Sequence, residues 1–87
     1  MRITYDPIKR ETTLRERKLD FEDAAEVFDN LVRTDRDIRE DYGEERWITV
    51  GYLQGRMVVL VWTPRGADEV RIISMRKANA REQARFG

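Results

Sequence analysis

Three cations fall close together near one end of the chain: Arg71, Arg76 and Lys77, in the stretch RIISMRKANAREQARFG (71–87). Side chains of this type suit chemistry at a phosphodiester. When a 2′-hydroxyl attacks the neighbouring phosphate, negative charge builds on the phosphoryl oxygens, and a guanidinium can grip two of them at once. A proton must also leave the nucleophile and another must reach the departing oxygen. Arginine hardly deprotonates, so a Glu, Lys or Tyr would have to take part. The chain has neither histidine nor cysteine. That excludes Cys–His and Ser–His–Asp nucleophilic catalysis. It also removes two of the side chains that metal centres favour, and the carboxylates are scattered over helix surfaces and the Glu40–Glu45 turn. No glycine-rich phosphate loop or dinucleotide fingerprint is present. Neither a metal nor an organic cofactor is expected.

These cations have plainer readings too. Arg71 lies inside an apolar strand, so it needs either a structural ion pair, for instance with an acidic residue of the second helix, or a groove opening onto water. On a regular strand Arg71 and Ile73 face one way, and Val70, Ile72 and Ser74 the other. Lys77, Arg81 and Arg85 recur at i, i+4 and i+8 beside Ala80 and Ala84. A final helix starts near Arg76 or Lys77 and runs to the C-terminus, so these three make a basic stripe on it, whose plainer reading is a solvated helix face. Trp47 and Trp62 suit either packing or stacking on bases.

Charge is unevenly spread. Residues 1–45 hold 14 acidic and 9 basic side chains, and residues 46–87 hold 8 basic and 3 acidic, although the total is zero. A basic half can face phosphates or an acidic protein, or simply neutralise its other half. Hydrophobic residues make up 40% of the chain and charged residues 39%, which suits one soluble folded domain over 1–87 and not a disordered tail. The longest apolar run, Met57–Trp62, is too short for a membrane span, and the first residues lack the apolar run of a signal peptide. A cytoplasmic location and no membrane partner are the corresponding expectations.

The elements that would position these residues follow from periodicity and caps. RITY (2–5) alternates as a short strand. Asp6-Pro7 caps a helix over 7–17, with a thin apolar side at Ile8, Thr12 and Leu14. Asp20 caps a second helix, with Phe21, Ala24, Ala25 and Phe28 as its apolar stripe, Val27 at the margin, and an end at Asp29-Asn30. Residues 31–38 form an edge strand. Residues 46–53 and 56–63 form a hairpin about Gln54-Gly55. A turn at 64–68 leads to a strand over 69–75. Met57–Trp62 is apolar on both faces, so its strand is central and covered on both sides. The order is β-α-α-β-β-β-β-α. The fold class is α+β: a small twisted, mainly antiparallel sheet with two N-terminal helices packed on it and a C-terminal helix.

Four segments in this order and spacing resemble the BrnT family of type II toxins: YDPIK (5–9), DFEDAAEVFDN (20–30), GEERWITVGY (43–52) and VRIISMRKANAREQARF (70–86). The resemblance implies a RelE-like fold and a ribonuclease that slows translation and growth. It implies neutralisation by a BrnA-like ribbon-helix-helix antitoxin, through which the complex reaches operator DNA. It places functional weight on basic residues around the sheet, here Arg46, Arg56, Arg71, Arg76 and Lys77. On this reading Arg71 clamps the scissile phosphate, Arg76 helps neutralise it, and Arg46, Arg56 and Lys77 guide the RNA. Glu45, just before a basic strand, is the candidate proton acceptor. One segment departs from the family pattern of lysine-histidine-glycine, hydrophobic, serine, phenylalanine. Residues 16–21 read Glu-Arg-Lys-Leu-Asp-Phe, so Arg17 replaces the histidine and Lys18 the glycine. Arg17 can still bind phosphate, but it cannot shuttle protons as imidazole does. The missing glycine suggests an altered link between the helices. An alternative is therefore an impaired homologue that serves mainly as the antitoxin-binding subunit of a repressor. A third is a nucleic-acid-binding domain outside any toxin system.

Overall fold

A computed structural model describes all residues 1–87. The elements are β1 (Arg2–Tyr5), α1 (Pro7–Arg17), a 3₁₀ turn (Phe21–Asp23), α2 (Ala24–Asp29), β2 (Leu31–Arg36), β3 (Trp47–Leu53), β4 (Arg56–Arg65), β5 (Glu69–Lys77) and α3 (Ala80–Phe86). They build one five-stranded sheet in the order β1-β5-β4-β3-β2. Only the β1–β5 pair is parallel. The α+β architecture and the order of its elements are those expected. The β3–β4 hairpin turns through Gln54 and Gly55, both at positive φ. The amide of Gln54 donates to the Glu26 carboxylate at 2.7 Å, which ties that turn to α2.

The helix-covered face holds the main core: Leu19, Phe21, Ala24, Val27, Leu53, Val58, Leu60, Ile72 and Met75. Full burial of a side chain such as Phe21 or Leu60 contributes about 2–3 kcal/mol. Val50, Met57, Val59 and Ala78 form a smaller cluster on the other face, joined by Phe86 of α3. Strand β4 is therefore covered on both sides, as its unbroken apolar run implies.

Several local expectations are corrected. Ala25 is exposed and Val27 is fully buried, because the first turn of the second helix is 3₁₀ and rotates the stripe. Ile8 and Leu14 are exposed, and α1 turns Thr12 and Thr13 inward. Strand β2 stops at Arg36, because Asp37 turns inward. Strand β5 runs on to Lys77, and the last helix starts at Ala80 behind an Asn79 cap. Lys77 thus belongs to a strand and not to a helical stripe with Arg81 and Arg85.

The link after α1 closes without glycine. Lys18 adopts φ 60°, ψ 31°, and its amide donates to Leu14 O at 3.1 Å. A lysine here holds a left-handed conformation that glycine adopts freely. Gly51 has a different role. A Cβ there would run into the Val27 carbonyl oxygen and sit 3.0 Å from that of Asn30. Its absence lets α2 lie directly on β3.

Candidate active site

A bulge in β5 decides which cations meet. Cross-strand partners run Thr63 to Arg71, then Val61 to Ser74 and Val59 to Arg76, with the register shift between Val61 and Trp62. Ile72 and Met75, three residues apart, both enter the helix-side core. On a regular strand they would point to opposite faces. The extra residue therefore puts Arg71, Ser74 and Arg76 together on the opposite, open face. The expectation that Ser74 faces away from Arg71 is corrected for this reason. Arg71 also turns its back on α2, and its side chain forms no ion pair or hydrogen bond. The structural ion pair with the second helix is absent.

The open face and α3 enclose a cleft of about 440 Å³. Its floor is apolar: Ile48 and Val50 from β3, and Val59 and Val61 from β4. Four arginines border it from three elements: Arg39 from the β2–β3 loop, Arg76 from β5, and Arg81 and Arg85 from α3. Asp35 and Glu82 are its carboxylates. Arg39 is anchored by two bonds to the buried Asp37 carboxylate, at 2.7 and 2.8 Å. Those bonds outweigh the burial of Asp37 and pull its carboxyl down to about 2.

Arg76 is engaged end-on by Glu82. Its two terminal nitrogens donate to the two carboxylate oxygens at 2.7 Å each. The same Glu82 accepts from the Asn79 amide, while Asn79 Oδ1 accepts from the Glu82 amide, both at 2.9 Å. Glu82 is thus both the N3 residue of a capping box and the counter-ion of Arg76. The Arg76 hydrogen bonds hold its carboxyl at about 2, and they raise the Arg76 guanidinium in turn.

The remaining sequence candidates are dispersed. Arg46 pairs with Glu44 at 3.0 Å and lies 4.0 Å over the Tyr42 ring. The Glu45 carboxylate accepts from Trp47 Nε1 at 3.0 Å, and its carbonyl accepts from the Thr63 hydroxyl at 2.6 Å. It does not border the cleft. Arg17 donates to Met75 O at 2.9 Å and ties the end of α1 to the edge of β5. Arg56 and Lys77 come together in a separate hollow. Trp62 packs edge-on against Phe28 and stacks on Trp47, so both indoles are taken up in packing on the helix side. No three His, Cys, Asp or Glu side chains are grouped so as to hold a metal ion.

Sequence reasoning overlooked Arg39, Asp35 and the double role of Glu82, and left Arg81 and Arg85 open as a solvated face. The Asn79-x-x-Glu82 spacing is a legible capping-box signal that places the helix start correctly. Nothing in the periodicity marks Arg39, because a loop delivers it.

Comparison with known proteins adds a family. Residues 5–82 match a family model described as ribonuclease toxin, BrnT, of type II toxin-antitoxin system. Among solved structures, the chain is similar to the 1.1 Å crystal structure of the Brucella abortus ribonuclease toxin, BrnT. The match has 26% identity and a TM-score of 0.69, and it covers 91% of this chain and 97% of that one. No curated protein sequence matches.

Proposed function

The chain belongs to the BrnT family of ribonuclease toxins of type II toxin-antitoxin systems, and on that premise we propose that it is a metal-independent endoribonuclease whose cleavage centre is the open-face cleft. The observation that carries this reading is the convergence of Arg39, Arg76, Arg81 and Arg85 over an apolar floor. Fixed cations above a low-dielectric surface stabilise charge on a phosphoryl group far better than they would in water. Arg76 takes the central role. It stands on a paired strand, and its two terminal nitrogens already hold a two-oxygen anion in the geometry a phosphate requires. Arg71 lies on the same face of β5 but outside the cleft, five residues from Arg76, and reaches a phosphate farther along the strand. Arg81 and Arg85 flank the strand, while Arg46 and Arg17 serve the periphery.

The chemistry is transesterification. The 2′-oxygen attacks phosphorus, the bond to the 5′-oxygen breaks, and a 2′,3′-cyclic phosphate and a 5′-hydroxyl remain. The 2′-hydroxyl proton passes to water or to a cleft carboxylate, and the departing 5′-oxygen takes a proton from solvent. Asp35 and Glu82 suit the acceptor position better than Glu45, which lies elsewhere. Bonds from Arg33 and Arg76 hold both carboxyls below their ordinary values, so they are weak bases. Catalysis then rests on charge stabilisation and alignment, and turnover is expected to be slow.

The proposed partner is a BrnA-like ribbon-helix-helix antitoxin, with operator DNA reached only through it. The test is RNA cleavage by the purified chain in EDTA. Wild-type protein should cut, and Arg76→Gln should lose the activity while staying folded, with a melting temperature lowered by no more than the loss of its pair with Glu82 accounts for. A second reading is favoured by one observation: Arg17, at the position of the family histidine, spends its guanidinium on a backbone carbonyl. In that reading the chain binds antitoxin and represses its operon without cutting RNA. Tight antitoxin binding with no cleavage at any protein concentration would select it.

A further inference from the structure

Strand β2 closes one side of the sheet, with β3 on one flank and no strand on the other. The Asp37 amide donates toward β3, to Arg46 O at 2.8 Å. Along an antiparallel ladder the amide and carbonyl of one residue point the same way, and successive residues alternate. Asp35 therefore directs its main-chain groups into β3, while Thr34 and Arg36 direct theirs out of the sheet. The side chains alternate between faces. Arg33 stands beside Val50 and Asp35 beside Ile48, both on the open face. Thr34 points to the helix side, where its hydroxyl meets that of Thr49 at 2.9 Å. Arg33 and Asp35 pair with each other at 2.7 Å, and about half of each side chain stays exposed. Charges and bulges commonly guard a free edge against pairing. Strand β2 has both, its bulge falling between Leu31 and Arg33. A guard of like charges would repel a second copy. These two charges are opposite in sign, and they flank Thr34 one on each side.

We propose that β2 pairs antiparallel with β2 of a second copy of this chain, about a two-fold axis at Thr34. In that register Thr34 exchanges both main-chain hydrogen bonds with the partner's Thr34. Arg33 falls opposite the partner's Asp35, and Asp35 opposite the partner's Arg33. Those two positions carry no main-chain bonds between the copies, so their Cα atoms come within about 4.5 Å and their side chains lie closest. Four charges then alternate in sign around the axis. Moving the axis to Arg33 or to Asp35 would set like charges face to face, so the charges select the register as well as the partner. The axis runs perpendicular to the sheet, and both open faces stay on the same side. Asp35 borders the cleft, so the partner's Arg33 joins the rim of each cleft. The inference does not depend on the RNA reading. The bulge keeps the pairing short, which places the contact among weak, transient ones, with a dissociation constant on the order of 10–100 μM.

The test is sedimentation of the whole chain across a concentration series, with two charge reversals. Arg33→Glu puts two carboxylates opposite each other at both contacts, and Asp35→Arg puts two guanidiniums there. Each variant alone should dimerise at least about tenfold more weakly than wild type. Mixed in equal amounts, the two variants should dimerise as wild type does, because every acidic position then faces a basic one. Both substitutions change exposed side chains, and a thermal melt checks that each variant is folded. Wild-type dimerisation should also weaken with salt, since the charges are open to solvent. A wild-type chain that stays monomeric up to about 500 μM, well above the expected dissociation constant, would overturn the inference. So would folded reversed variants that dimerise alone as tightly as wild type, which would place the contact on another surface. A mixture that stays monomeric would overturn it too, because Arg33 would then not face the partner's Asp35.

Discussion

Replacing Glu82 with glutamine separates its two roles. The glutamine oxygen can still accept from the Asn79 amide, so the capping box survives. What goes is the charge opposite Arg76, where both guanidinium nitrogens sit 2.7 Å from carboxylate oxygens. Side-chain exposure is 42% for Arg76 and 22% for Glu82, so the pair is only partly desolvated. Discounted for that exposure, it contributes about 1 kcal/mol. For a domain of this size the melting temperature should fall by about 4–8 °C. Nucleic-acid binding should move the other way. A phosphate no longer has to displace a carboxylate from Arg76, and a like charge has left the cleft. A gain of about 1 kcal/mol corresponds to roughly fivefold tighter binding. The freed contact should also steepen the salt slope by about 0.7. Calorimetric melting and anisotropy titration with a 2′-O-methyl hexanucleotide measure both effects on one preparation. A folded Glu82→Gln variant that binds no tighter than wild type would refute the idea that Arg76 is the phosphate contact masked by α3.

Further outcomes follow from the same structure. Lys18→Gly relieves a left-handed strain of about 1–2 kcal/mol, offset in part by the flexibility of glycine in the unfolded chain. Stability by urea titration should therefore rise by about 0.5–1 kcal/mol. Gly51→Ala forces a methyl against the backbone of α2 and should cost about 2 kcal/mol or more on the same titration. Acid dependence follows from Asp37 and Glu82, whose carboxyls lie near 2 in the fold against ordinary values of 3.8 and 4.5. A depressed carboxyl stabilises the fold above its ordinary value, and that stability is lost as pH falls toward the depressed one. The melting temperature should drop between about pH 4.5 and 2, and Glu82→Gln should drop less than wild type.

How much of this was legible in the sequence depended on whether the signal was local. The β3–β4 hairpin and the caps at Asp6 and Asp20 are written in short runs of side chains, and they stand where those runs put them. The bulge in β5 is not, because an extra residue becomes visible only when the partner strand is laid beside it. That one residue decides whether Arg71 and Arg76 share a face. Arg39 was equally out of reach, since its position comes from Asp37 folding under a loop. Gly51 looked like an ordinary strand residue until α2 was packed against it. Glu82 is legible as a cap, because Asn79-x-x-Glu82 announces a helix start; its pairing with Arg76 is not, because it depends on where β5 ends.

The most direct test of the cleft as a transesterification site uses an oligonucleotide with a single ribose in a deoxyribose strand, incubated with the protein in EDTA. We expect one cut, on the 3′ side of that ribose, leaving a 2′,3′-cyclic phosphate and a 5′-hydroxyl, with no cut in Arg76→Gln. Cleavage at deoxyribose positions, products ending in a 5′-phosphate, or activity that survives the loss of Arg76 would contradict it.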